Sequence, residues 1–305
     1  MNIIFMGTPK FARYILEKIN LTVNVKAVVT RLDSKSGRGK KIKFPPVKEE
    51  ALKYNIPVYQ FEKLDDEFEK VLNLYKPDAV VVVAYGKLIP KKYLDLPKYG
   101  FINVHASILP NLRGAAPIHH AILSGFDETG VSIMKMNEGL DMGDVYYVDK
   151  VSITNFTTTG SLENELKECG QKALIKVLSS LEKDEYSLKP QPIKGTYASK
   201  ITKDMAYIDW SKTKKEIDLL VRGLNPYPVA YTNLNDKRLK IFEVEDYSNK
   251  VLNAGEIVEV EKDYFLVACG DGVLKIKEVQ LMGKRKMEVK EFLKGYELTK
   301  GTILC

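Results

Sequence analysis

Cysteine is too scarce in this sequence to build anything: Cys169, Cys269 and Cys305 are scattered, odd in number and share no metal-ligand spacing. They read as free thiols in a reducing cytoplasm, which excludes a disulfide scaffold and a cysteine-bound metal. No apolar run approaches the roughly 20 residues that a spanning helix needs; the longest obvious one is Ala79 to Tyr85. Met1 to Met6 has no basic start and too short an apolar run for a signal peptide, so a cytoplasmic protein is expected. Catalytic signatures are missing too. No serine sits in a G-x-S-x-G elbow, and no His, Asp or Glu cluster has the spacing of a metal site. The glycines form neither a dinucleotide fingerprint nor a P-loop.

Acidic residues are nearly absent from one short segment. Residues 31–48 hold Arg31, Lys35, Arg38, Lys40, Lys41, Lys43 and Lys48 against the single acid Asp33, a local charge of +6 in a chain of net charge +7. The rest is close to neutral, so one basic patch requires explanation rather than a general affinity for polyanions. A run of charge is usually a solvated face. This one follows a strand on the side of the candidate site, which favours contact with a phosphate backbone.

At 305 residues the chain is long for a single core, and two domains are expected. Residues 1–150 alternate apolar strands with amphipathic helices: strands at 2–6, 23–30, 57–59, 78–84, near 101–105, 131–136 and 145–153, and helices at 11–19, 47–54, 61–75 and 115–123. That alternation predicts a doubly wound α/β domain with a mostly parallel sheet. Asp78 to Ala84 is continuously apolar after its first residue, the mark of a parallel strand buried on both faces. Residues 31–46 read as a Gly- and Lys-rich loop, and 161–182 as a closing helix. Residues 184–203, punctuated by Pro190, Pro192 and Gly195, read as a linker. Beyond a helix at 213–223 the chain breaks into short strands, as in a small β-barrel. The expected domains are therefore 1–183, a linker over 184–203, and 204–305.

The chemistry concentrates in the stretch from Gly100 to Ile118. Asn103 and His105 interrupt an apolar strand at a spacing of two, so they share one face. Ser107, Pro110 and Gly114 then break the pattern into a loop, at the strand end where open α/β sheets bind ligands. His105 suits proton transfer near neutrality, and the Asn103 amide can donate to an oxyanion. The plainer alternative is a pair of polar residues that hold a turn. A carboxylate partner could come from Asp141 or Asp144 in the Gly139 to Asp144 turn, and spacing does not choose between them. With no nucleophile of its own, such a site suits direct transfer between two bound substrates.

These segments resemble a known family. Met6-Gly7-Thr8-Pro9, Ala84-Tyr85-Gly86, Asn103-Val104-His105 with Ser107-Ile108-Leu109-Pro110, Arg113 to Ile118, and Gly139 to Asp144 are similar to the methionyl-tRNA formyltransferase family. Tyr197 to Ile201, Ile208 to Ser211 and Arg222 to Pro228 extend the likeness past the linker. The resemblance implies a Rossmann-like formyltransferase domain followed by an OB-like barrel. It implies transfer of a formyl group from 10-formyltetrahydrofolate, without a metal, to the methionine amine of initiator methionyl-tRNA, by a monomer. Carried over by position, Asn103, His105 and Asp141 are the catalytic set. Tyr85, Gly86, Lys87 and Leu88 with Ser107, Ile108, Leu109 and Pro110 border the folate, and Arg38, Lys40, Lys41 and Lys43 grip the tRNA. Three positions depart from the family pattern: Asn111 and Leu112 stand where a basic residue and an aromatic are usual, and Tyr227 where tryptophan is common. Sugar-nucleotide N-formyltransferases resemble the same core, but leave the basic segment without a use. A folate- or RNA-binding module without catalysis would not need the three catalytic side chains.

Overall fold

Two units emerge in a computed structural model, which describes residues 1–36 and 41–305. The first comprises Met1–Pro117, Glu128–Ser152 and Glu163–Ser199; the second comprises Ile118–Asp127, Ile153–Leu162 and Lys200–Cys305.

The first unit begins with strand β1 (Asn2–Gly7), helix α1 (Lys10–Ile19) and strand β2 (Asn24–Thr30). Helix α1 forms because Phe11, Ala12, Ile15, Leu16 and Ile19 fall on one face, and all five are buried. The stretch 31–46, expected as a loop, contains a short antiparallel ladder of β3 (Ser34–Ser36) and β4 (Lys41–Lys43). Helix α2 (Pro46–Lys53), strand β5 (Val58–Gln60) and helix α3 (Asp66–Tyr75) follow. Helix α3 begins five residues later than expected. The Asp65 carboxylate accepts the Glu67 N–H at 3.1 Å and caps the helix there, and three acidic residues fill its first turn. Strand β6 (Ala79–Val83) is buried at every residue, as its unbroken apolar run requires. After the single turn α4 (Lys91–Leu94) comes β7 (Phe101–His105).

The two-residue strand β8 (Arg113–Gly114) and helix α5 (Pro117–Leu123) lead to β9 (Glu128–Lys135), β10 (Val145–Ser152) and the long helix α6 (Thr159–Glu182). The sheet order is β10-β9-β7-β6-β1-β2-β5. From β7 to β5 every pairing is parallel, whereas β9 and β10 run antiparallel. This is the doubly wound, mostly parallel sheet read from the sequence. Residues of the segment expected to link the domains run along this unit: Lys189 bridges Val145, and β11 (Tyr197–Ala198) pairs in parallel with β8.

The second unit holds helix α7 (Lys214–Gly223), strands β12 (Tyr231–Leu234), β13 (Lys237–Ser248), β14 (Ile257–Val260), β15 (Phe265–Cys269), β16 (Gly272–Leu281) and β17 (Met287–Glu288), and the short helix α8 (Val289–Leu293). Thr213 and Glu216 cap α7 reciprocally. The strands form one antiparallel sheet, ordered β12-β13-β16-β15-β14 with β17 beside β16, curled into an OB-like half-barrel. Strand β13 runs for 12 residues, longer than the short strands read from the sequence, because register shifts at Ile241, Glu243 and Asp246 let it bend and stay paired. Inward-facing Ile241, Phe265, Ile276 and Val279 pack with Trp210, Ile217 and Val221 as its core.

Candidate active site

Strand β7 lies inside the sheet, parallel to β6 and antiparallel to β9, with Asn103 opposite Val82 and Met134 and His105 opposite Ser132. Its side chains alternate. Phe101 joins the core cluster containing Phe68 and Tyr93, whereas Val104 points to α6, where a Cβ on Gly170 would lie 3.3 Å from its methyl group. Asn103 and His105 therefore share the Phe101 face at the carboxyl end of the strand, and both are buried.

Asp141 reaches these two side chains from the turn between β9 and β10. Its Oδ1 accepts from Asn103 Nδ2 at 3.3 Å, and its Oδ2 lies 3.7 Å from His105 Nδ1. The same Oδ2 accepts the Gly114 backbone N–H at 2.8 Å. On the other edge of the ring, His105 Nε2 donates to the Leu112 carbonyl at 2.9 Å. A carbonyl can only accept, so Nε2 carries a proton, and Nδ1 faces the Asp141 carboxylate. Asp141 has φ +52°, in the left-handed region where a side chain is uncommon. Asp144, the alternative left open by the turn, is exposed, and its carbonyl accepts the Lys135 N–H at 2.8 Å.

The loop after β7 is fixed by short polar contacts. Ser107 Oγ donates to the Asn111 carbonyl at 2.6 Å. Ser132 Oγ donates to the Ser107 carbonyl at 2.7 Å and accepts the Leu109 N–H at 3.0 Å. The Leu109–Pro110 bond is cis. Leu109 packs with Met134 and Val145. A strand-end amide, an imidazole and a carboxylate within 3.7 Å can donate to a developing oxyanion and move a proton.

Comparison with known proteins agrees along the whole chain. A formyl transferase family model matches residues 1–178, and a formyl transferase C-terminal domain model matches residues 200–297. Methionyl-tRNA formyltransferase of Clostridium beijerinckii is 43% identical over 310 residues, covering 100% of both chains. That of Clostridium tetani is also 43% identical, covering 100% of this chain and 99% of its own. This chain belongs to the methionyl-tRNA formyltransferase family. Among solved structures, the sugar 3N-formyl transferase WlaRD superposes with a TM-score of 0.67 at 18% identity, covering 93% of this chain and 99% of that one. HypX from Aquifex aeolicus gives 0.66 at 18% identity, covering 98% of this chain and 49% of that one. At that identity both speak to the fold alone.

The other positions suggested by likeness to methionyl-tRNA formyltransferases are placed as follows. Tyr85, 1% exposed, follows β6, and its hydroxyl meets no partner among the described residues. Burial pushes its phenol above the ordinary tyrosine range, opposed by the Arg31 guanidinium. Its carbonyl accepts from Thr8 Oγ1 at 3.3 Å. Gly86 has φ +78°. Lys87 Nζ is committed to the carbonyls of Phe61 and Glu62, at 2.7 and 2.6 Å, whereas Leu88 is 82% exposed. Ser107 and Leu109 are buried, with Ile108 and Pro110 partly so. Of the basic positions, Arg38 and Lys40 lie outside the described residues. Lys41 and Lys43 belong to β4, and Lys43 is exposed, between exposed Ile42 and Phe44. Sequence reasoning missed the groups that hold Asp141: the Gly114 N–H, and Gln191, which stands in a polar stretch whose only signal was its prolines.

Proposed function

We propose that this chain transfers the formyl group of 10-formyltetrahydrofolate to the α-amino group of methionine on initiator methionyl-tRNA, preparing it for translation initiation. The observation that carries the reading is the full-length likeness to the Clostridium enzymes, which extends through the second unit as well as the strand-end loop. Residues 1–183 are assigned the chemistry, 184–203 the connection and 204–305 contact with tRNA. The enzyme works as a cytoplasmic monomer, for which light scattering should return 34.5 kDa.

The substrate amine adds to the formyl carbon, and the carbonyl electron pair moves onto oxygen. Asn103 Nδ2, through its second hydrogen, and His105 Nε2, exchanging the Leu112 carbonyl for the substrate, donate to that oxygen. Asp141 balances the charge on His105 and receives the proton released by the new ammonium. The oxyanion then re-forms the formyl carbonyl as the bond to folate N10 breaks, and the proton held by Asp141 passes to N10. Both substrates are held together without an enzyme-bound acyl group, so proximity supplies much of the rate. Tyr85 to Leu88 and Ser107 to Pro110 border the folate. Arg38, Lys40, Lys41 and Lys43 grip the phosphate backbone near the acceptor end.

The test is acceptor choice. Given 10-formyltetrahydrofolate and either methionyl-tRNA or an amino-sugar nucleotide, the protein should formylate the tRNA alone. Formylation of the amino sugar in place of the tRNA refutes the reading. Arg38→Glu should weaken tRNA binding and leave the formyl-transfer chemistry in place.

A further inference from the structure

Arg113 is the largest fully buried side chain in the described residues, 0% exposed, and its hydrogen-bond acceptors there are all neutral oxygens. Its Nε and Nη2 donate to Gln191 Oε1 at 3.2 and 2.9 Å, Nη2 also to the Pro192 carbonyl at 2.8 Å, and Nη1 to the Ile193 carbonyl at 3.1 Å. Burying a cation against neutral oxygens alone is costly, and an apolar side chain of similar size would fill the space at less expense. The fork of the guanidinium does what an apolar residue cannot: it fixes a neighbour's orientation.

That neighbour is Gln191. With Oε1 occupied by Arg113, its amide nitrogen faces the other way and donates to the carbonyls of Asp141 at 3.0 Å and Gly143 at 2.7 Å. These carbonyls bracket the turn that holds Asp141 at φ +52°. Left-handed side-chain residues persist only where the surroundings over-determine them. The second restraint comes from the same arginine's chain neighbour, since Gly114 N–H holds Asp141 Oδ2 at 2.8 Å. The segment beyond Gln191 is docked closely too: a Cβ on Gly195 would lie 2.3 Å from the Pro110 carbonyl.

We infer that Gln191, oriented by Arg113, is a positioning residue that locks the Asp141 turn and so sets the rate of the formyl-transfer step without touching either substrate. This rests on the assignment of Asp141 under the proposed function, and the test separates the two. Single-turnover formylation is measured for full-length Gln191→Ala and Gln191→Glu, each in the wild-type and the Asp141→Asn background. Gln191→Glu keeps a partner for Arg113 but turns an oxygen toward two carbonyls. Both variants should lose up to about 100-fold in the transfer rate, as misplacement of a catalytic group by about an ångström can cause. KM for each substrate should stay within about twofold of wild type, since the loss falls on the transition state. In the Asp141→Asn background neither change should reduce the rate further, whereas a merely structural role gives the same loss in both backgrounds. Ile193→Ala, whose side chain is 87% exposed and whose link to Arg113 is through its backbone, should leave the rate unchanged. Wild-type rates in both Gln191 variants, or equal losses in both backgrounds, overturn the inference while leaving the site reading intact. Full activity in Asp141→Asn alone removes both.

Discussion

Replacing Asp141 by asparagine keeps its size and removes its charge, and the structure gives the cost. The Oδ2 to Nδ1 separation from His105 is 3.7 Å, and both side chains are nearly buried. At that distance, with an effective dielectric of about 20, a carboxylate and an imidazolium attract by about 4.5 kcal/mol. If that attraction is fully expressed when His105 donates to the developing oxyanion, its loss slows the transfer by about two thousandfold at most. Water entering the crevice reduces the figure, so a loss between about 100- and 1000-fold is expected. Stability changes less. The carboxylate serves two N–H donors, from Gly114 and Asn103, and an asparagine oriented to accept from one turns its own amide toward the other. One weakened contact of this kind costs about 1–2 kcal/mol. The assay is rapid-quench single turnover with both substrates saturating, beside a thermal melt. A folded Asp141→Asn protein within about tenfold of the wild-type rate refutes this account of the pair.

Other expectations follow from the packing and the titrating groups. Gly7→Ala should destabilise the first unit by about 1–3 kcal/mol, read by chemical denaturation, because the new Cβ would lie 2.7 Å from that of Ala12 and 2.9 Å from the Val83 carbonyl. Burial, helped by Asp149, pushes the Cys169 thiol up to about 12, and burial also raises that of Cys269. Iodoacetamide at mildly alkaline pH should therefore label exposed Cys305 alone, as mass spectrometry can show. Thr213→Ala should lower stability by about 1 kcal/mol at neutral pH through loss of the helix cap. The Thr213 hydroxyl and N–H hold the Glu216 carboxyl below its usual 4.5. A depressed folded-state value stabilises above the ordinary range and is lost as pH falls through it, so the deficit of Thr213→Ala should shrink in acid.

Elements whose local pattern agrees with their environment were legible. The valine run of β6 reads as a strand buried on both faces and is one, and the two-residue spacing of Asn103 and His105 puts both on one face at a strand end. Boundaries failed where a polar cap outvoted apolar periodicity, as at Asp65, or where pairing imposed structure on a polar stretch, as in the 34–36 and 41–43 ladder. The choice between Asp141 and Asp144 could not come from spacing, because a glycine-bracketed turn accommodates either. In the structure it is the left-handed backbone at Asp141 that aims the carboxylate at β7. Gln191 was illegible for a simpler reason: its contacts are backbone carbonyls far along the chain, and nothing in a Pro- and Lys-rich stretch announces them.

The most direct measurement is formyl transfer by His105→Ala in a single turnover, paired with its affinity for methionyl-tRNA. Loss of a proton-donating imidazole at the reacting oxygen should slow transfer by about 100- to 10,000-fold. Because the basic segment is a separate contact, tRNA affinity should remain that of the wild type. A His105→Ala protein that formylates methionyl-tRNA at the wild-type rate, or that fails only because it no longer binds the tRNA, contradicts the account.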